Sequence, residues 1–131
     1  MFIIDNRRVG TTLDHFWYSG RWERVTGRRD GRYGGTSIRS YTPGDIAAIM
    51  FYGRRFYLHG VDGPQGGSAT LALDGQIHNI TFLAHAKRMA VAYDSGLLRE
   101  GPHSVVIVVG TKPTDVAPTG YVNIDYARIE R

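Results

Sequence analysis

The stretch that most restricts the fold is residues 44–75, GDIAAIMFYGRRFYLHGVDGPQGGSATLALDG. Three runs of β-branched, aromatic and aliphatic residues, 45–52, 56–60 and 69–73, are separated by Gly53-Arg54-Arg55 and by the loop 61–68. Runs this short, bounded by glycine, predict antiparallel strands joined by turns. Ala47, Ile49 and Phe51 share one face of the first run, Phe56 and Leu58 one face of the second, and Ala69, Leu71 and Leu73 one face of the third. Tyr57, His59 and Thr70 fall at the alternate positions, so one face packs and the other is partly wet. The three runs therefore read as the middle of a sheet. Asp74-Gly75 predicts a tight hairpin turn, because both residues tolerate positive φ.

A chain of 131 residues is about one domain long and hides roughly two thirds of its extended surface on folding. A single β-sandwich domain over 1–131 is the expectation. Its 17 glycines and eight tyrosines favour an all-β sandwich or barrel with many turns. The absence of cysteine removes disulfides and thiolate metal sites. The formal charge of +4 comes from the first half, where residues 1–65 hold ten arginines against six acids. No apolar run approaches the roughly 20 residues of a membrane span, and Met1-Phe2-Ile3-Ile4-Asp5 is too short for a secretory signal. No membrane contact or export address is expected from the chain as given.

Elsewhere, residues 2–4, 36–41, 76–83 and 89–93 read as strands, and 121–129 as the last one. The segment 103–109 is nearly continuous apolar sequence, which predicts a strand covered on both faces or lying at a subunit contact. Residues 84–88 fit one turn of helix or a wide loop. Residues 21–39 carry six arginines among glycines and read as a long, basic, exposed connection. Arg54-Arg55 reads as a charged hairpin tip. About nine or ten strands result.

The series Tyr18-Ser19-Gly20-Arg21-Trp22, Tyr33-Gly34-Gly35-Thr36, Gly44-Asp45-Ile46-Ala47, Leu58-His59-Gly60, Gly63-Pro64-Gln65-Gly66-Gly67-Ser68-Ala69, Leu73-Asp74-Gly75, Gly101-Pro102-His103-Ser104-Val105 and Val122-Asn123-Ile124-Asp125-Tyr126 resembles the galactose-binding-like jelly-roll β-sandwich domains. These are similar to carbohydrate-binding modules and to related domains in microbial surface and phage structural proteins. The resemblance implies an antiparallel jelly-roll β-sandwich over most of the chain. It speaks to fold more than function, because glycines, core positions and turn aspartates carry it. It also implies a structural calcium near the chain ends, held in part by an aspartate at the position of Asp125. This sequence has Ile4-Asp5-Asn6 where such modules usually offer paired glutamates, and calcium needs 6–8 oxygen ligands. No cofactor or metal ligand is assigned.

Sugar recognition would set flat aromatic faces against the apolar side of a pyranose, with polar side chains taking the hydroxyls. Trp17, Tyr18, Trp22, Tyr33 and Arg39 lie in the loop-rich first third and are the first candidates. Tryptophan is mostly buried on average, so Trp17 or Trp22 capping the core is the competing reading. Tyr52, Tyr57 and His59 project away from Phe51, Phe56 and Leu58; they line a concave platform or are covered by the second sheet or a neighbouring subunit. The arginines of 21–39 are able to bind an acidic polysaccharide or nucleic acid. A solvated loop is the preferred reading, and nucleic acid is not expected.

The aspartates sit mostly beside glycine or in predicted turns, where aspartate caps its own backbone. No serine has a nucleophile-elbow context, no histidine pair has zincin spacing, and residues 63–67 lack the lysine and following helix of a phosphate loop. His103 opens a strand and reads as structural. An enzyme is not expected. The leading function is a non-catalytic, lectin-like module for a glycan or cell-surface polysaccharide. The alternative is a structural virion protein, a phage capsid-decoration or tail component, meeting capsid or tail subunits or further copies of itself. Both place the chain outside the cell or on a virion surface.

Overall fold

The computed structural model describes residues 2–26, 35–110 and 120–131. They form twelve strands and, among the described residues, no α-helix: β1 Phe2–Asp5, β2 His15–Ser19, β3 Glu23–Thr26, β4 Thr36–Ser40, β5 Ile46–Gly53, β6 Arg55–Asp62, β7 Ser68–Leu73, β8 Gln76–Thr81, β9 Arg88–Asp94, β10 Gly101–Val109, β11 Val122–Ile124 and β12 Tyr126–Glu130. One layer is a five-stranded sheet in the order β2-β5-β10-β7-β8. Facing it is the four-stranded sheet β1-β12-β6-β9, with the small sheet β11-β4-β3 beside it. All strand pairs are antiparallel. The expected all-β jelly-roll sandwich is found, with a few more strands than the nine or ten expected. Of residues 84–88, 84–87 form a loop without helix and Arg88 opens β9.

Period-2 alternation puts the core where the sequence places it. Ala47, Ile49 and Phe51 from β5, Phe56 and Leu58 from β6, Leu71 and Leu73 from β7, and Val105 and Ile107 from β10 are all buried. Phe51 stacks on Phe56 with ring centroids 5.2 Å apart, joining the two layers. Asp74 and Gly75 have φ of 49° and 86° and form the expected two-residue turn between β7 and β8.

Three expectations need correction. The three runs of 44–75 are not the middle of one sheet: β5 and β7 flank β10, while β6 lies in the opposite layer. The same inward alternation satisfies either layer, so it cannot assign a strand to one of them. Arg54 is consequently a corner between layers rather than a hairpin tip; its N–H donates to the Glu130 carbonyl at 2.7 Å and its carbonyl accepts from Leu98 at 2.6 Å. A Cβ on Gly53 would stand 2.7 Å from the Glu130 carbonyl oxygen, so the corner requires glycine there. The expected last strand is likewise broken in two at Asp125. The Asp125 N–H donates to His59 and its carbonyl accepts from the Asn6 N–H, both at 2.8 Å, as the chain passes from the small sheet to the four-stranded one.

Candidate functional site

β2 sorts the densest aromatic cluster of the sequence by alternation. Phe16 is fully buried and Tyr18 points the same way, while Trp17 stands on the outer face of the five-stranded sheet, 43% exposed. Trp17 borders a groove of about 300 Å³ whose lining includes Thr11, Thr12, His15, Ala48, Met50 and Val106. The wall at 10–14 is pinned at several points. His15 Nδ1 donates to the Leu13 carbonyl at 2.9 Å, leaving Nε2 to accept from Arg8 Nε at 3.4 Å. Asp14, at φ 65°, donates its N–H to Met50 at 2.7 Å and takes the Arg131 guanidinium on its carboxylate. The result is an indole plate beside a small-residue floor, with hydroxyls from Thr11, Thr12 and Ser104 around it. That arrangement suits a ligand with one apolar face and a polar rim.

Tyr18 and Trp22 are engaged in packing. The Tyr18 hydroxyl donates to the Asn6 carbonyl at 2.9 Å, and burial foremost pushes its pKa far above the ordinary tyrosine value. Trp22 tilts against Tyr18 with ring centroids 5.4 Å apart, and its Nε1 donates to the carbonyls of Ser19 and Ile46, both at 3.1 Å. Core capping, the competing reading for the tryptophans, describes Trp22. Beside them the buried Asp45 carboxylate accepts from the Arg21 N–H and from Ser40 Oγ, both at 2.7 Å. It ties separate elements together rather than capping its own backbone.

Arg39 lies in a second place, a cleft of about 350 Å³ at one end of the sandwich that also takes in Asp62, Gln65, Lys87, Tyr121 and Asn123. Its guanidinium carbon sits 4.0 Å from the Tyr121 ring centroid, and Nε donates to Glu23 at 2.6 Å. Tyr41 meets the same ring edge to face at 5.3 Å. Asn123 is committed to the fold, accepting from the Val61 N–H at 2.9 Å and donating to Ser37 Oγ at 3.0 Å. The sequence reading missed Tyr121; its available signal was a tyrosine at the end of a proline-containing loop. Tyr33 lies outside the described residues.

Tyr57 and His59 occupy a third surface, the outer face of the four-stranded sheet. Tyr52 projects from the five-stranded sheet, so the platform imagined for Tyr52, Tyr57 and His59 does not form: the strands carrying them belong to opposite layers. The Tyr57 ring already has Arg128 at 4.1 Å and Arg55 at 4.8 Å from its centroid. Arg55 also forms a two-point ion pair with Asp94, at 3.0 and 2.7 Å. His59 stacks on Tyr126 at 4.3 Å, and its Nε2 accepts from Arg128 Nε at 3.2 Å. Burial, and then the Arg128 charge, lower the His59 pKa and keep the ring neutral.

The calcium implied by the resemblance does not fit the residues present. Near the buried Asp125, the Asn6 amide donates to the carbonyl oxygens of Thr36 at 3.1 Å and Asp125 at 2.8 Å, placing a hydrogen-bond donor among oxygens a cation would need. The Asp5 carboxylate is engaged by the Arg7 N–H and Nε, at 2.9 and 3.0 Å. No group of three or more His, Asp or Glu able to hold a metal occurs among the described residues. No described helix is long and apolar enough to cross a membrane.

The fold class is that of carbohydrate-binding modules of the jelly-roll type. A β-1,3-glucan-binding CBM6 from Bacillus halodurans superposes with a TM-score of 0.61 at 12% identity, covering 99% of this chain and 96% of that one. A CBM36 module in complex with calcium and xylotriose gives 0.59 at 10% identity, covering 98% of both chains. An exo-β-1,3-galactanase from Phanerochaete chrysosporium, with β-1,3-galactotriose, gives 0.63 at 12% identity over 96% of this chain. This chain spans 28% of that enzyme's length. No protein-family model and no curated protein matches the sequence.

Proposed function

We propose that the chain is a non-catalytic carbohydrate-binding module that works outside the cell and holds a glycan on the outer face of its five-stranded sheet. The observation that carries this reading is Trp17, a large exposed indole beside an apolar groove edged with hydroxyls. The fold supports it, because the similar structures include a CBM36 with xylotriose and a CBM6 that binds β-1,3-glucan. The Arg39–Tyr121 cleft, with Tyr33 in the neighbouring sequence, is the second candidate contact. Tyr18 and Trp22 pack against the core instead, and Tyr57 and His59 contribute stability. A non-catalytic role fits the engagement of His103, whose ring nitrogens lie 2.6 Å from the Asp74 carboxylate and 2.6 Å from the Arg99 carbonyl. A capsid, tail or self-assembly role draws on no observation here.

Affinity electrophoresis and calorimetry against xylan, β-1,3-glucan and acidic polysaccharides test the reading. The expected result is binding that Trp17→Ala removes while the circular dichroism spectrum stays the same. Wild-type protein that retains no glycan, neutral or acidic, at millimolar sugar concentration overturns it.

A further inference from the structure

We infer that the ligand surface extends beyond the Trp17 groove as an uncharged platform across all five strands, suited to an extended, neutral polysaccharide chain. This inference rests on the carbohydrate-binding reading above. The strand register supplies the geometry. Trp17 pairs with Ala48, Ala48 with Val106, Val106 with Ala72 and Ala72 with Ile77, which makes one continuous lateral row on the outer face. Four strand spacings give the row a reach of about 19 Å, enough for several pyranose units.

The residue types along the row fit that use. Trp17 stands at one edge, 43% exposed, and Ile77 at the other, 71% exposed. Ala48 and Ala72 keep the floor between them low. The next row, Ser19, Ile46, Val108, Thr70 and Asn79, adds hydroxyl and amide groups along one side. Neither row contains a single Lys, Arg, Asp or Glu, in a chain with 16 basic and 12 acidic residues. An acidic polymer or a nucleic acid would be recognised by cations, which these two rows lack. A lone sugar would use only the Trp17 end and leave the other four-fifths of the row idle.

The test is calorimetry of the full chain with xylo-, cello- and laminari-oligosaccharides of increasing length, at low and high salt. Wild type is compared with Ala72→Glu, Ile77→Asp and Trp17→Ala, and sedimentation velocity is run on each. The expected result is affinity that climbs with ligand length, by roughly tenfold or more, and is insensitive to salt. Ala72→Glu and Ile77→Asp return the long ligands to the affinity of the short ones. Ile77 is mostly exposed, so its variant keeps the fold. If both variants bind long ligands like wild type while Trp17→Ala has lost binding, the platform is wrong and the Trp17 groove stands. Self-association that Ile77→Asp abolishes, without any glycan binding, assigns the face to a second copy and overturns the inference. Wild type that binds no oligosaccharide at all sinks the underlying reading as well.

Discussion

The two outer faces of the sandwich carry aromatic residues to opposite ends. On the four-stranded sheet, Tyr57, His59 and Tyr126 are locked into a ladder with Arg55, Arg128, Asp94 and Glu130, where each ring already has a cation or another ring against it. On the five-stranded sheet, Trp17 borders alanine and valine and leaves much of its surface open. Composition alone would rank the first face higher, since it holds more aromatic and arginine side chains. What distinguishes a binding face is the surface its own neighbours leave unused, because a ring already stacked has little left to offer a ligand.

The largest expected effect strikes both faces together. Phe51→Ala removes the stack on Phe56 that joins the layers and should cost about 3–5 kcal/mol in urea unfolding, with loss of binding through unfolding. Next comes the direct contrast. Trp17→Ala should lower glycan affinity roughly tenfold or more, as truncation of an aromatic anchor does. Its effect on stability should stay within about 0.5 kcal/mol, as for most surface changes. Tyr57→Ala should do the reverse, lowering the thermal midpoint while titrations with the same glycan overlay wild type.

Titration sharpens the comparison further, because a histidine in each layer responds with opposite sign. At His103 burial works against the charged form, but bonds to the Asp74 carboxylate and the Arg99 carbonyl outweigh it and raise the pKa. Its stabilisation is fully present below the ordinary histidine value of about 6.5 and is lost as pH rises through the raised one. His59 has a lowered pKa. Its contribution is present above about 6.5 and is lost as pH falls toward the lowered value. Urea midpoints measured between about pH 5 and 8 should therefore shift toward higher pH optima in His103→Gln. In His59→Gln the optimum should move toward lower pH. The smallest effect belongs to the β7–β8 turn: Gly75→Ala, at φ 86°, should cost about 1 kcal/mol and leave binding untouched.

Much of the fold was legible in the sequence because alternation is a local property. Ala47, Ile49, Phe51, Leu71 and Leu73 face inward as their spacing requires, and Asp74-Gly75 turns as its chemistry requires. The division of 44–75 between two layers was not legible, since it depends on β10 pairing with β5 and β7 from more than 25 residues away. The site was only partly legible for a related reason. In His15-Phe16-Trp17-Tyr18-Ser19 aromatic residues fall on both parities, so alternation cannot say which face is inward. The row from Trp17 to Ile77 exists only once five strands are in register. Arg39 was picked out for its charge, but its partner Tyr121 lies 82 positions away, beyond the reach of any local pattern.

The most direct test of the central claim is chemical-shift mapping of the isotope-labelled protein as a glycan that it retains is titrated in. Shifts should concentrate at the Trp17 indole, Ala48, Met50 and Val106, with Tyr57, His59 and Tyr126 unmoved. Shifts confined to Tyr57 and His59, or to the Arg39–Tyr121 cleft, with Trp17 unperturbed, would contradict it.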